Sequence, residues 1–175
     1  MKNSFEIKIL KLHWINEDDG NDLCLHGELF IRIGEEVLSD FDSGDWTLSV
    51  ASLFLMRTLT MDYTPNDFDN LLIPCCGNFI VVEENTPITV IGCPNGVDWT
   101  IRHIEGGLVK HVSNNGSEAI ITEEEYQKIV FDFADKVEQF YKDNPRILPD
   151  DGFDLEGYNA FWNEWHNLRN KYEYR

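Results

Sequence analysis

Positive charge is scarce in this chain. Fourteen Lys and Arg stand against 32 Asp and Glu in 175 residues, a net charge of −18. A surface of that sign repels nucleic-acid phosphates and anionic lipids, which argues against DNA or RNA as a partner. Long apolar runs are absent too. The longest candidate, residues 46–59, is too short to span a bilayer and contains Arg57. Glu6, Lys8 and Lys11 interrupt the N-terminal stretch MKNSFEIKILKLHWI, which therefore lacks the apolar centre of a secretion signal. These absences predict a cytoplasmic chain with no membrane attachment and reduced thiols.

Motifs that fix a chemistry are also missing. There is no glycine-rich phosphate loop, no G-x-S-x-G elbow and no H-E-x-x-H pair. The run DFDSGD at 40–45 has calcium-like composition but neither the register nor the distal Glu of a calcium loop. Four cysteines occur, without the paired C-x-x-C or Cys/His spacing of a zinc site. Cys75 and Cys76, in PCCG, are adjacent and point opposite ways along an extended chain, so only one could ligate easily. A bridge between them is disfavoured, because consecutive Cα atoms lie only about 3.8 Å apart. Cys24, Cys75, Cys76 and Cys93 are accordingly expected to be small buried hydrophobes, with no metal and no cofactor. The sharper alternative is a small enzyme using Cys75 or Cys76 with His103 or His111. Those histidines flank an EGG turn and could face one another across a hairpin. The local surroundings of known cysteine hydrolases are absent.

What is present suits one domain. Hydrophobic residues make up 42% of the chain and aromatics 13%, with five Trp and eleven Phe, enough to build a core without staples. Phe5, Ile7 and Ile9 alternate with charge, and Leu25, Leu29, Ile31 and Ile33 keep the same period, so two strands form a long hairpin around NEDDGND. WTLSVASLFLMRTL, apolar on nearly every face, predicts a buried central helix capped near Asp45. Four or five strands follow between residues 79 and 121, separated by ENTP, CPNG, EGG and NNGS, the turns of a β-meander. Thr122 to Glu125 reads as a capping box opening a helix that Pro145 ends. A last helix follows DDGFD, with Leu155, Tyr158, Phe161, Trp162, Trp165, Leu168 and Tyr172 on one stripe, and Gly157 places its start nearer Tyr158. The fold class is α+β: an antiparallel N-terminal hairpin and meander, a buried central helix and two C-terminal helices.

The charge is unevenly placed. Residues 16–45 hold ten acidic residues against Arg32 alone, a net −9 and half the total excess. Glu17, Asp18, Asp19 and Asp22 fall in the hairpin loop, and Asp40, Asp42 and Asp45 in the turn before the central helix. Asp150, Asp151 and Asp154 fall between the last two helices. Such clusters are either a solvated face that aids solubility or a surface for a basic protein. Small size, strong acidity, one α+β domain, no catalytic motif and the segment GYNAFWNEWHNLR together resemble the immunity proteins of bacterial polymorphic-toxin and contact-dependent inhibition systems. The resemblance implies a cytoplasmic inhibitor of a cognate toxin domain, often a basic nuclease, docked on the acidic loops. It transfers no catalytic residue. A generic acidic adaptor is the third expectation. Trp162 and Trp165 are expected in the core, either becoming an interface anchor if it lies exposed beside an acidic loop.

Overall fold

Alternating apolar residues fold residues 5–33 into one long antiparallel hairpin. Its strands are β1 (Phe5–Ile9), β2 (His13–Trp14), β3 (Leu25–Gly27) and β4 (Leu29–Ile33). Phe5 lies opposite Ile33 and Ile9 opposite Leu29, while Trp14 lies opposite Leu25, so β1–β4 and β2–β3 are two stretches of the same ribbon. Between them Gly27 touches the other arm. A Cβ there would lie 2.0 Å from the Lys11 carbonyl oxygen, which only glycine avoids. The strand β5 (Glu36–Ser39) extends the first stretch beyond β4, and β6 (Trp46–Thr47) extends the second beyond β3. The computed structural model describes residues 4–18, 20–65, 67–76, 79–84, 87–150 and 152–173.

The central helix α1 (Leu48–Arg57) has all ten residues buried, as its all-round apolar sequence requires. Its N-cap is Thr47 rather than a residue near Asp45. The Thr47 side chain makes no cap bond, its hydroxyl lying 3.2 Å from His26 Nε2 instead. Pairing of Trp46 and Thr47 with β3 fixes this start, a long-range constraint that local capping preference does not contain.

After α1 come β7 (Ile73–Pro74), β8 (Phe79–Val81), β9 (Thr89–Ile91), β10 (Gly96–Val97), β11 (Trp99–Ile104), β12 (Leu108–Ser113) and β13 (Glu118–Thr122). All pairing is antiparallel, but the expected single meander is divided. β8–β9 is a separate hairpin, β10 turns back to β7, and β11–β12–β13 forms the true meander. His103 lies opposite Val109 and His111 opposite Ile101, so the two histidines are diagonal rather than facing. Thr122 caps α2 (Glu123–Asp143) as predicted, its Oγ1 accepting the Glu125 N–H at 3.1 Å, the first of the two bonds of a capping box.

Helix α3 (Gly152–Glu173) runs through Gly157, so it begins six residues before Tyr158, where that glycine suggested a start. A Cβ on Gly157 would stand 3.1 Å from Ile80 Cβ and 3.3 Å from the Ile80 carbonyl oxygen. The glycine is thus the place where α3 meets β8, not a break. Both α2 and α3 pack on α1. Among the described residues no helix is long and apolar enough to cross a membrane.

Candidate functional site

Two of the acidic clusters are brought together by contacts that join distant parts of the chain. The Ile147 N–H donates to the Gly20 carbonyl at 2.8 Å, and the Arg146 guanidinium reaches the Glu17 carbonyl at 3.4 Å while lying 4.2 Å over the Trp14 ring. Gly20 permits the approach, since a Cβ there would meet Ile147 at 2.9 Å. The loop before β3 and the connection between α2 and α3 therefore form the two lips of one cleft of about 420 Å³. Asp22, Asp150 and Asp154 stand at its rim. Its walls are aromatic: Tyr141, Tyr158 and Trp162 line it. The Trp162 ring stands edge-on to Tyr141 at 5.0 Å and to Tyr158 at 6.3 Å.

The Tyr141 wall is fixed from below. The Tyr141 hydroxyl donates to the Leu23 carbonyl at 2.6 Å and accepts the Leu25 N–H at 3.2 Å, and burial raises its pKa above the ordinary phenol value. Burial likewise raises Tyr158. Cys24 lines the same cleft, and its thiol is pushed up to about 12 by burial, with the charges of Asp22 and Cys76 adding to it. Trp165 is fully buried, as expected of the core, whereas Trp162 is half-buried beside the acidic rim. Faces of aromatic rings attract cations, and carboxylates at the same mouth add to that attraction. The arrangement suits the ammonium or guanidinium end of a basic side chain.

The acidic residues divide by what their side chains do. Asp22 accepts from the N–H groups of Asn16 at 3.3 Å and Cys24 at 3.2 Å, so it shapes the loop as well as charging it. Glu17 and Asp18 are exposed on the outer part of that loop. Asp40 closes its own turn, accepting from the Asp42 N–H at 3.1 Å and the Ser43 hydroxyl at 2.9 Å, and Asp42 is exposed. Neither lines the cleft. Asp45 sits 3.5 Å from His13 Nε2, at the base of the hairpin loop. Asp19 and Asp151 lie outside the described residues.

The cysteines depart most from expectation. Cys75 and Cys93 form a disulfide, eighteen residues apart, and none of the four cysteines is fully buried. Pairing of β7 with β10 causes this, because it lays the PCCG and GCPNG turns side by side, with the Cys75 N–H donating to the Asn95 carbonyl at 3.0 Å. A bridge between the adjacent Cys75 and Cys76 is disfavoured, but Cys93, distant in sequence, supplies the partner. The Cys76 sulfur also joins the group, and the three sulfurs lie within 4.8 Å of one another.

The histidines are engaged elsewhere. His103 Nε2 lies 2.9 Å from the Thr58 carbonyl and its Nδ1 3.4 Å from Glu123, which occupies both ring nitrogens. His111 is fully buried, stacked on Phe5 at 3.9 Å, and its Nδ1 accepts the Trp99 indole N–H at 3.1 Å. Burial and then the neighbouring His103 hold its pKa down to about 3, so it is neutral. The partners of both rings are groups other than Cys75 and Cys76.

A second hollow, of about 700 Å³, contains Arg57 and Glu164. These form a two-pronged pair at 2.7 and 3.0 Å, with Arg57 also donating to the Ile88 carbonyl and the Ile88 N–H donating to Glu164. Their hydrogen-bonding capacity is spent joining α1, α3 and the approach to β9. The aromatic cleft is the better candidate. Its walls were visible in sequence only as core-type residues, since Tyr141 and Trp162 keep helical spacing whether they face the interior or a cleft. Comparison with protein-family models, with curated proteins and with solved structures finds no match to this chain.

Proposed function

We propose that the chain is a non-enzymatic binding protein of the immunity type, which neutralises a basic toxin domain by seating it on the acid-rimmed aromatic cleft. One observation carries this reading: two acidic loops more than a hundred residues apart in sequence converge on a cleft whose walls are aromatic. Charge at the rim steers a basic partner and speeds encounter, while the half-buried rings supply the contact area that holds it. Ile147 and Leu148, both exposed beside the cleft, extend the apolar contact. The net charge of −18 complements a nuclease-like toxin whose own surface is built to bind phosphate. The cytoplasm, where such a toxin would act on its own producer, is the compartment this function requires.

The reading predicts that a basic toxin domain is encoded beside this protein's gene, and the test uses that domain. Stopped-flow association should be fast at low salt and slow steeply as ionic strength rises. In Asp150→Lys/Asp154→Lys the rate should fall and most of the salt slope disappear, with the far-UV spectrum unchanged. Growth rescue from the toxin should weaken in parallel. Absence of both a complex and rescue with the wild-type protein would sink the proposal.

A further inference from the structure

The sulfur cluster answers to a chemistry that the cleft does not use. We propose that Cys75, Cys76 and Cys93 form, once reduced, a three-thiolate site for one thiophilic d10 metal ion, Cu(I) being the ion that suits it best. Their sulfurs come from two turns zipped together by β7 and β10 and lie within 4.8 Å of one another. An ion bonded at about 2.3 Å to three coplanar sulfurs sets them about 4.0 Å apart, so the Cys75 and Cys93 sulfurs, bonded to each other in the disulfide, must part on reduction to take it. All three cysteines are half-buried, which shields the site yet leaves it an entrance.

The backbone around the cluster is built to hold this shape. The Cys93 N–H donates to the Cys76 sulfur at 3.0 Å, a bond that favours negative charge on that sulfur. Gly92 lies so close to the Cys76 carbonyl that a Cβ would stand 2.1 Å from its oxygen, and Gly96 is likewise 2.4 Å from that of Ile73. Only glycine fits at either place. Among the described residues no His, Asp or Glu completes the group as a fourth ligand. Three soft sulfurs without a fourth donor favour trigonal Cu(I) over Zn(II), which prefers four ligands.

The disulfide is the oxidised, metal-free form of the same site. A thiol or phosphine reductant supplies two electrons, and two protons are taken up as the Cys75–Cys93 bond opens into two thiols. With Cys76 these make three thiols, each of which yields its proton as its sulfur bonds the ion. A reducing cytoplasm would favour the thiol form.

The experiment titrates the reduced full-length protein with Cu(I) under anaerobic conditions, against a chromophoric copper chelator. One equivalent should bind per chain, with an ultraviolet thiolate-to-copper band and release of about three protons near neutral pH. Cys76→Ser is the decisive variant, since it leaves Cys75 and Cys93 in place. It should weaken binding by more than about tenfold and lower the proton count by one. Cys24→Ser should bind as the wild type does, and unreduced protein should bind no stoichiometric copper. Wild-type-like affinity in Cys76→Ser, loss of binding in Cys24→Ser, or retention of Zn(II) but not Cu(I) would each overturn the assignment.

Discussion

His111 illustrates how one buried side chain couples the meander to acidity. Its ring fills a slot between Phe5 and Tyr126, accepting one hydrogen bond from Trp99, while its Nε2 has no partner among the described residues. Protonation would put a charge in that slot, so burial holds the pKa down to about 3. The unfolded chain takes up this proton below about pH 6.5, the folded chain not until about pH 3. In that window the unfolded state binds more protons, so stability falls as pH falls, by up to ~1.4 kcal/mol per pH unit. His26, whose pKa burial also lowers, acts in the same direction. Urea unfolding of His111→Gln, whose amide oxygen can still accept from Trp99, should show lower stability at pH 7.5 but a shallower decline toward pH 5. The difference in slope should approach one proton. Equal slopes in the two proteins would mean that His111 titrates normally in the fold.

The helices were readable because each obeys a local rule. The Thr122–Glu125 box starts α2, and continuous apolarity marks α1, whose ten residues are all buried. The hairpin at the N-terminus followed from the alternation of Phe5, Ile7 and Ile9 against Ile33, Ile31 and Leu29. What escaped the sequence was the pairing of very short strands. β7 and β10 hold two residues each and carry no period, yet their meeting divides the meander and forms the disulfide. The cleft escaped for a related reason, since its charged rim was plain in composition while its convergence depends on contacts between Gly20 and Ile147. Gly157 was misread because propensity records its cost and not its neighbour. Replacing it by Ala normally adds about 1 kcal/mol to a helix, but here the new Cβ would press on Ile80 at 3.1 Å. Gly157→Ala should therefore bring no stabilisation, whereas Asn159→Ala, exposed two residues on, should add about 0.5 kcal/mol. A gain of about 1 kcal/mol from Gly157→Ala in chemical denaturation would show that α3 and β8 are less closely packed.

Over the whole molecule the excess of negative charge must be tolerated by the fold before a partner can use it. A net −18 on 175 residues repels itself, and salt should relieve that repulsion. The acids nevertheless differ in duty. Asp22 and Asp40 hold backbone N–H groups of their own loops, whereas Asp18, Asp42 and Asp150 are exposed and have no such side-chain role among the described residues. Asp18→Lys/Asp42→Lys/Asp150→Lys moves the net charge by six toward neutrality. Its stability in low salt should equal or exceed that of the wild type, and the stabilising effect of added salt should shrink. Asp22→Ala removes a single charge but leaves two backbone donors without their acceptor, so it should cost about 1 kcal/mol at every ionic strength. Urea midpoints at low and high salt separate the two cases. A triple variant that unfolds more easily than Asp22→Ala would place those three carboxylates in the architecture of the fold. With the expected order, these are carboxylates whose removal does not weaken the folded chain, which leaves their field free for the encounter with a basic partner proposed above.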